Sequence, residues 1–169
     1  MSSLLRRPAL RLTIVAFVVL TIQATLCVDL KPFGVTADLM LLGATASGVV
    51  AGSQKGALGG FVFGIMFDLY LQTPFGISPL VYGLAGFMAG YVQTLTIDPT
   101  WYLSMVTVAL SSAAGVGGLA LVSQFISLEG RIPADLVRDA LAIGTINGLI
   151  APLVMPVQRW CFGIKRAIV

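Results

Sequence analysis

Hydrophobic residues fall in six long runs along this chain, and short polar or turn-forming stretches separate the runs. Each run is much longer than a typical strand of about 5–6 residues, and most approach the roughly 20 apolar residues that cross a bilayer core. The pattern predicts an all-α polytopic membrane protein with six transmembrane helices, short loops and one transmembrane domain, residues 1–169. The expected spans are residues 10–28, 36–53, 56–71, 77–95, 101–127 and 136–157.

The third run, KGALGGFVFGIMFDLY, combines small residues with one carboxylate. Gly56, Gly60 and Gly64 recur every four residues and therefore lie near one side of a helix. Small-residue stripes let another helix approach closely in lipid. The stripe ends at Asp68, and a carboxylate in an apolar segment needs a partner or a wet cavity. Three roles stay open for Asp68: contact with a partner protein, internal packing, or ligand binding.

The neighbouring runs repeat these features. The fourth run carries Gly83 and Gly86 and places Tyr82 on the same glycine-rich face. A short turn joins runs three and four, so their helices are neighbours and Tyr82 is a candidate hydrogen-bond donor to Asp68. The second run holds Asp38 in its first turn, where the helix dipole favours an acid. We expect Lys55 to mark the turn between runs two and three.

The sixth run is the most polar of the six. Asn147 lies near its middle, where a buried amide usually makes an interhelical hydrogen bond. Arg138 and Asp139 are adjacent and do not face one another on a helix, so each is expected to pair with other groups. We expect Asn147 and Arg138 to be structural polar residues. Pro152 and Pro156 predict a kink or an early end of this helix.

Basic residues predict the orientation of the chain in the membrane. With both termini in the cytoplasm, seven of the ten lysines and arginines are cytoplasmic, as the positive-inside rule requires. These seven are Arg6, Arg7, Arg11, Lys55, Arg159, Lys165 and Arg166, and the other three are Lys31, Arg131 and Arg138. A basic start before an apolar run also occurs in signal peptides. No A-x-A site closes the first run, so we expect a retained helix.

Composition narrows the function. The chain is 57 % hydrophobic and 10 % charged, against about 25 % charged residues in soluble domains, which places it in a membrane. It has no histidine and no metal-ligand cluster, so we expect no catalytic site, metal or cofactor. Cys27 and Cys161 fall near opposite membrane faces, which disfavours a disulfide. No basic stripe with interleaved aromatic residues supports nucleic-acid binding.

Two motifs carry a family resemblance. The pattern GxxxGFxxGxxxDL spans Gly56 to Leu69, and FGISPLVYGLAGFMAGY follows it from Phe75 to Tyr91. Together they resemble the signature of the rod shape-determining protein MreD family, as does the late NGLIAPLVMP segment before an aromatic and basic tail. The positions that match the family pattern are Gly60, Gly64, Asp68, Gly76, Leu80 and Tyr82.

The resemblance implies a non-enzymatic scaffold of the bacterial inner membrane. MreD family members bind the bitopic protein MreC, act with MreB, a RodA-type polymerase and a class B penicillin-binding protein in lateral peptidoglycan synthesis, and are similar in fold to the S-components of energy-coupling-factor transporters. We therefore expect a helix-docking groove for MreC, next to membrane lipid and near the outer face. Its expected residues are Gly56, Gly60, Gly64, Asp68, Gly76, Leu80, Tyr82 and Gly86.

A second hypothesis is a substrate-binding subunit of a vitamin or small-molecule transporter, similar to an S-component. Such a pocket needs several polar groups that converge at one depth. The outer half of this chain offers chiefly Asp68, Arg138, Asp139 and Tyr82. S-components usually dock through small residues of the first span, whereas the first run here is rich in bulky aliphatic residues.

Overall fold

The computed structural model describes residues 8–26, 35–71, 76–95, 100–126 and 135–164. The predicted loops at 29–34, 72–76, 96–100 and 127–135 lie wholly or mostly outside these residues, as does Cys27. Six helices form in the described part of the chain, and the predicted all-α class is confirmed. They are α1 Pro8–Leu26, α2 Leu39–Ala51, α3 Ser53–Leu71, α4 Ile77–Thr94, α5 Trp101–Ile126 and α6 Leu136–Phe162.

Among the described residues, three helices are long and apolar enough to cross a membrane: Pro8–Thr25, Trp101–Phe125 and Leu136–Phe162. Helix α2 is also apolar but has 13 residues, which corresponds to about 20 Å of helix against a bilayer core of about 30 Å. Length and composition therefore support three spans directly.

Two helix boundaries differ from those predicted. The turn between α2 and α3 lies at Gly52 rather than at Lys55. Gly52 has φ 86°, in the left-handed region that favours glycine, so this single residue reverses the chain. Lys55 is part of the first turn of α3. Asp38 lies just before α2 rather than inside it, and its carboxylate accepts a hydrogen bond from the N–H of Leu41 at 2.9 Å, which caps the helix.

Helix α6 continues through Pro152 and Pro156 to Phe162, so the expected early end near residue 157 is wrong. Both prolines are exposed on the outer side of the bundle, where their rings do not disturb the packing of α6 against its neighbours. Proline is tolerated inside transmembrane helices because neighbouring groups satisfy the freed carbonyls. The helix ends at Gly163, which has φ 66°.

Helix α2 forms the centre of the bundle. Its residues 40–48 are buried without interruption, and it contacts each of the other five helices. A helix that is apolar on all sides is expected at such a position. Helices α3 and α4 form a closely packed antiparallel hairpin on one side of α2, and α5 and α6 form a second pair. Helix α1 contacts α2, α3 and α6.

Candidate functional site

The glycines of α3 pack directly against the backbone of α4. Gly56, Gly60 and Gly64 are all buried. A Cβ atom added at Gly60 would overlap the backbone carbonyl of Tyr82, and one at Gly64 would overlap the backbone of Pro79. The two helices therefore approach more closely than any side chain at these positions would allow, as small-residue stripes permit.

Helix α2 also packs against the contact between α3 and α4, at Gly48. A Cβ atom at Gly56 would lie 2.5 Å from the carbonyl oxygen of Gly86 in α4 and would also overlap Gly48 in α2. A Cβ atom at Gly86 would lie 2.9 Å from the carbonyl oxygen of Ala44 in α2. Gly48, Gly56 and Gly86 thus form a junction at which three helices meet by their backbones.

This geometry corrects the expected docking groove. The glycines of α3 and α4 do not line an open groove for a partner helix, because the two glycine faces fill one another. These glycines allow the close packing of α3 against α4 within the chain. Contact of the expected docking residues with a partner stays a prediction.

The side chain of Asp68, near the end of α3, binds the backbone at the start of α4. Its carboxylate accepts hydrogen bonds from the N–H of Gly76 at 2.6 Å and of Ser78 at 3.3 Å. The side chain is 3 % exposed. Gly76 precedes α4 with φ 112°, a conformation that glycine adopts without strain. The hydroxyl of Tyr82 donates to Asp38, so the expected hydrogen bond from Tyr82 to Asp68 is wrong, and the internal role of Asp68 is structural.

We expect Asp68→Ala to lower the free energy of unfolding of the isolated protein by about 2 kcal/mol, because at least one buried backbone N–H loses its acceptor. Chemical denaturation in detergent, without any partner, measures this. Asp68→Asn keeps the Oδ1 acceptor and should cost less. An unchanged stability of Asp68→Ala would refute the structural role of Asp68.

Tyr82 binds a different acid. Its side chain is fully buried, and its hydroxyl donates a hydrogen bond to Oδ2 of Asp38. Its ring stacks on Phe67 with the centroids 5.6 Å apart. Asp38 therefore links the start of α2 to α4, while its other carboxylate oxygen caps α2 through Leu41.

One side chain from α1 and one from α6 also form hydrogen bonds with the backbone at the start of α2. The Oε1 atom of Gln23 accepts a hydrogen bond from the N–H of Met40 at 2.9 Å. The Nδ2 atom of Asn147 donates to the backbone carbonyl of Asp38 at 3.1 Å, which confirms the predicted interhelical hydrogen bond. Asp38, Tyr82, Gln23 and Asn147, here called the Asp38 node, thus tie four helices together. Of these residues, the sequence predicted an interhelical contact for Asn147 and, with the wrong acid as its partner, for Tyr82.

The remaining expected residues lie on the surface. Arg138 is exposed near the start of α6, and Gly76 is exposed at the α3–α4 turn. Leu80 is 60 % exposed on α4. It lies at one end of an apolar groove of about 460 Å³ between α4 and α5, here called the α4–α5 groove. Residues spaced four apart form the α4 wall of this groove: Leu80, Leu84, Met88 and Val92.

Long apolar helices, close backbone contacts through glycine and buried polar nodes between helices define the class of helical membrane proteins. The model of the rod shape-determining protein MreD family matches residues 6–155, and the chain belongs to this family. The family is one of bacterial membrane proteins that act in rod shape determination. No curated protein and no solved structure matches the chain.

Proposed function

We propose that this protein is a non-enzymatic scaffold of the bacterial inner membrane that binds MreC and helps control lateral peptidoglycan synthesis. Its membership of the MreD family supports the role in cell shape. Through MreC the protein acts indirectly with MreB, a RodA-type polymerase and a class B penicillin-binding protein.

We propose further that all six helices cross the membrane, with both termini in the cytoplasm. The short α2 lies inside the bundle, where it meets protein rather than lipid on every side. In this orientation Arg11, Lys55 and Arg159 lie near the cytoplasmic face, whereas the Asp38 node and Asp68 lie near the outer face.

The α4–α5 groove is the observation that carries the MreC proposal. Its α4 wall is a stripe of exposed apolar side chains. The middle of its α5 side is formed by the small residues Ala114, Gly115 and Gly118, with Leu110 and Val122 toward the two ends. The stripe from Leu80 to Val92 extends over about 18 Å of helix. Large side chains opposite small ones accept a single apolar helix at close range, and a bitopic partner supplies one such helix.

We expect Ala114→Trp to reduce co-purification of MreC by about tenfold or more, because the indole fills the floor of the groove and costs the contact more than about 1.4 kcal/mol. The measurement is the amount of MreC recovered with the tagged protein from detergent-solubilised membranes. Gly117→Trp is the matched control, since it adds the same side chain to α5 where a Cβ atom meets no atom within 4 Å. Undiminished recovery with Ala114→Trp, at equal thermal stability of both variants, would refute this docking position.

The transporter-subunit alternative has less support. Two of the four polar groups that the chain offers for such a pocket have partners within the protein: Asp68 accepts from the backbone N–H of Gly76, and Tyr82 donates to Asp38. A smaller cavity of about 300 Å³ at this end of the bundle is lined by Gln23, Thr36 and Asp38, among others. Mass spectrometry of the purified protein distinguishes the two functions, because a transporter subunit would retain a vitamin-sized molecule.

A further inference from the structure

We propose that a second apolar groove, between α1 and α3, binds one anionic phospholipid. This α1–α3 groove has a volume of about 450 Å³ and lies at the opposite end of α3 from Asp68. Its lining is apolar except for one ammonium group, that of Lys55. This groove is separate from the α4–α5 groove proposed above for MreC.

The shape of the groove fits an acyl chain below a headgroup. Lys55 lies in the first turn of α3, and Leu58, Phe61 and Val62 follow it along the groove. From Lys55 to Val62 the helix rises by about 10 Å. Leu58 is 66 % exposed and Phe61 is 50 % exposed, so the groove opens sideways to surrounding lipid. A chain that enters from the bilayer can therefore lie along α3 with its headgroup beside Lys55.

An exposed tryptophan on α6 indicates the depth at which the lipid headgroup would lie. Trp160 of α6 is exposed, as tryptophan at the membrane interface commonly is. The guanidinium of Arg11 lies 4.8 Å from the centre of the Trp160 ring and donates a hydrogen bond to its backbone carbonyl at 3.0 Å. Arg11 thus fastens α1 to α6, and Lys55 is the basic side chain that faces the groove.

The distribution of charged residues between the two ends of the bundle favours an anionic headgroup. At the end that holds the α1–α3 groove, the charged residues in the described ranges are all basic: Arg11, Lys55 and Arg159. The described acids all lie at the opposite end, around the starts of α2 and α6 and the end of α3: Asp38, Asp68, Asp135 and Asp139. No described acid therefore neutralises Lys55, so a phosphodiester whose headgroup carries no cation is the complementary occupant.

Native mass spectrometry of the full-length protein released from nanodiscs that contain equal parts of phosphatidylglycerol and phosphatidylcholine tests this proposal. We expect the wild type to retain phosphatidylglycerol in preference to phosphatidylcholine by about fivefold, the effect of one basic side chain near a headgroup with net negative charge rather than a zwitterionic one. Lys55→Gln should abolish this preference. Arg138→Gln removes a basic side chain at the other end of the bundle and should leave it intact.

A second variant locates the lipid. Ala9 is exposed and lines the groove on the α1 side, so Ala9→Trp fills the groove without removing a charge. We expect it to reduce retention of both lipids by about threefold or more, through lost van der Waals contact. A preference for phosphatidylglycerol that survives Lys55→Gln would overturn the proposal. Retention that is unchanged in Ala9→Trp would overturn the position of the chain in this groove.

Discussion

Gly60→Ala is expected to lower the free energy of unfolding by about 3 kcal/mol or more, at the upper end of what overpacking costs. The added methyl group would overlap the backbone carbonyl of Tyr82, which unlike a side chain has no other rotamer to adopt. The overlap can be relieved only if α3 and α4 move apart along their whole contact. Denaturation of the purified protein in mixed micelles measures the change.

Gly83→Ala is the matched control on the facing helix. A Cβ atom there lies 3.4 Å from its nearest neighbour, the carbonyl oxygen of Ala57, which is an ordinary contact. Alanine is favoured over glycine inside a helix by about 1 kcal/mol, so Gly83→Ala should be neutral or stabilising. The same substitution is thus expected to have opposite signs at two positions of one hairpin. If both variants are equally stable, the close approach at Gly60 is wrong.

The glycine pattern predicts the closeness of the contact correctly but not the identity of the helix that makes it. A stripe of small residues limits how near a neighbour can come, and it carries no information on whether that neighbour belongs to the same chain. The short stretch of sequence between the third and fourth runs indicates which helix makes the contact. It makes α4, with its own glycines, the nearest helix available to Gly56, Gly60 and Gly64.

The Asp38 node was harder to predict because its members are far apart in the sequence. Tyr82 is 44 residues from Asp38, and Asn147 is 109 residues from it. Tyr82 also had a nearer acid in Asp68, and sequence distance favoured that pair. In the structure Tyr82 donates to Asp38 instead, while the Asp68 carboxylate accepts hydrogen bonds from the backbone N–H groups of Gly76 and Ser78.

Helix α4 contacts the glycines of α3 on one side and forms a wall of the α4–α5 groove on another side. Gly86 packs inward on Gly56, whereas Leu84 and Met88 face the groove. The position of the groove wall therefore depends on how closely α4 lies on α3. A substitution that separates the hairpin should also impair the proposed binding of MreC, so binding measurements on glycine variants require a parallel measurement of stability.

Asp38→Ala is expected to cost about 3 kcal/mol of unfolding free energy. Loss of the cap on α2 accounts for about 1 kcal/mol, and the buried hydroxyl of Tyr82, left without an acceptor, accounts for about 2 kcal/mol. Tyr82→Phe removes that hydroxyl, so the double variant Asp38→Ala/Tyr82→Phe should be less destabilised than the sum of the single variants. We expect a coupling free energy of about 1–2 kcal/mol from this cycle.

Asp135→Ala is the control for removing an acid just before a helix where no capping hydrogen bond is lost. Asp135 precedes α6 as Asp38 precedes α2, but it is exposed and its side chain makes no capping hydrogen bond. Its replacement should change stability by less than about 0.5 kcal/mol, as is usual for surface positions. Equal effects of Asp38→Ala and Asp135→Ala, or additive effects in the cycle, would show that the hydrogen bond between Tyr82 and Asp38 does not hold α4 to α2. A large coupling would establish that this hydrogen bond holds α4 to the start of α2.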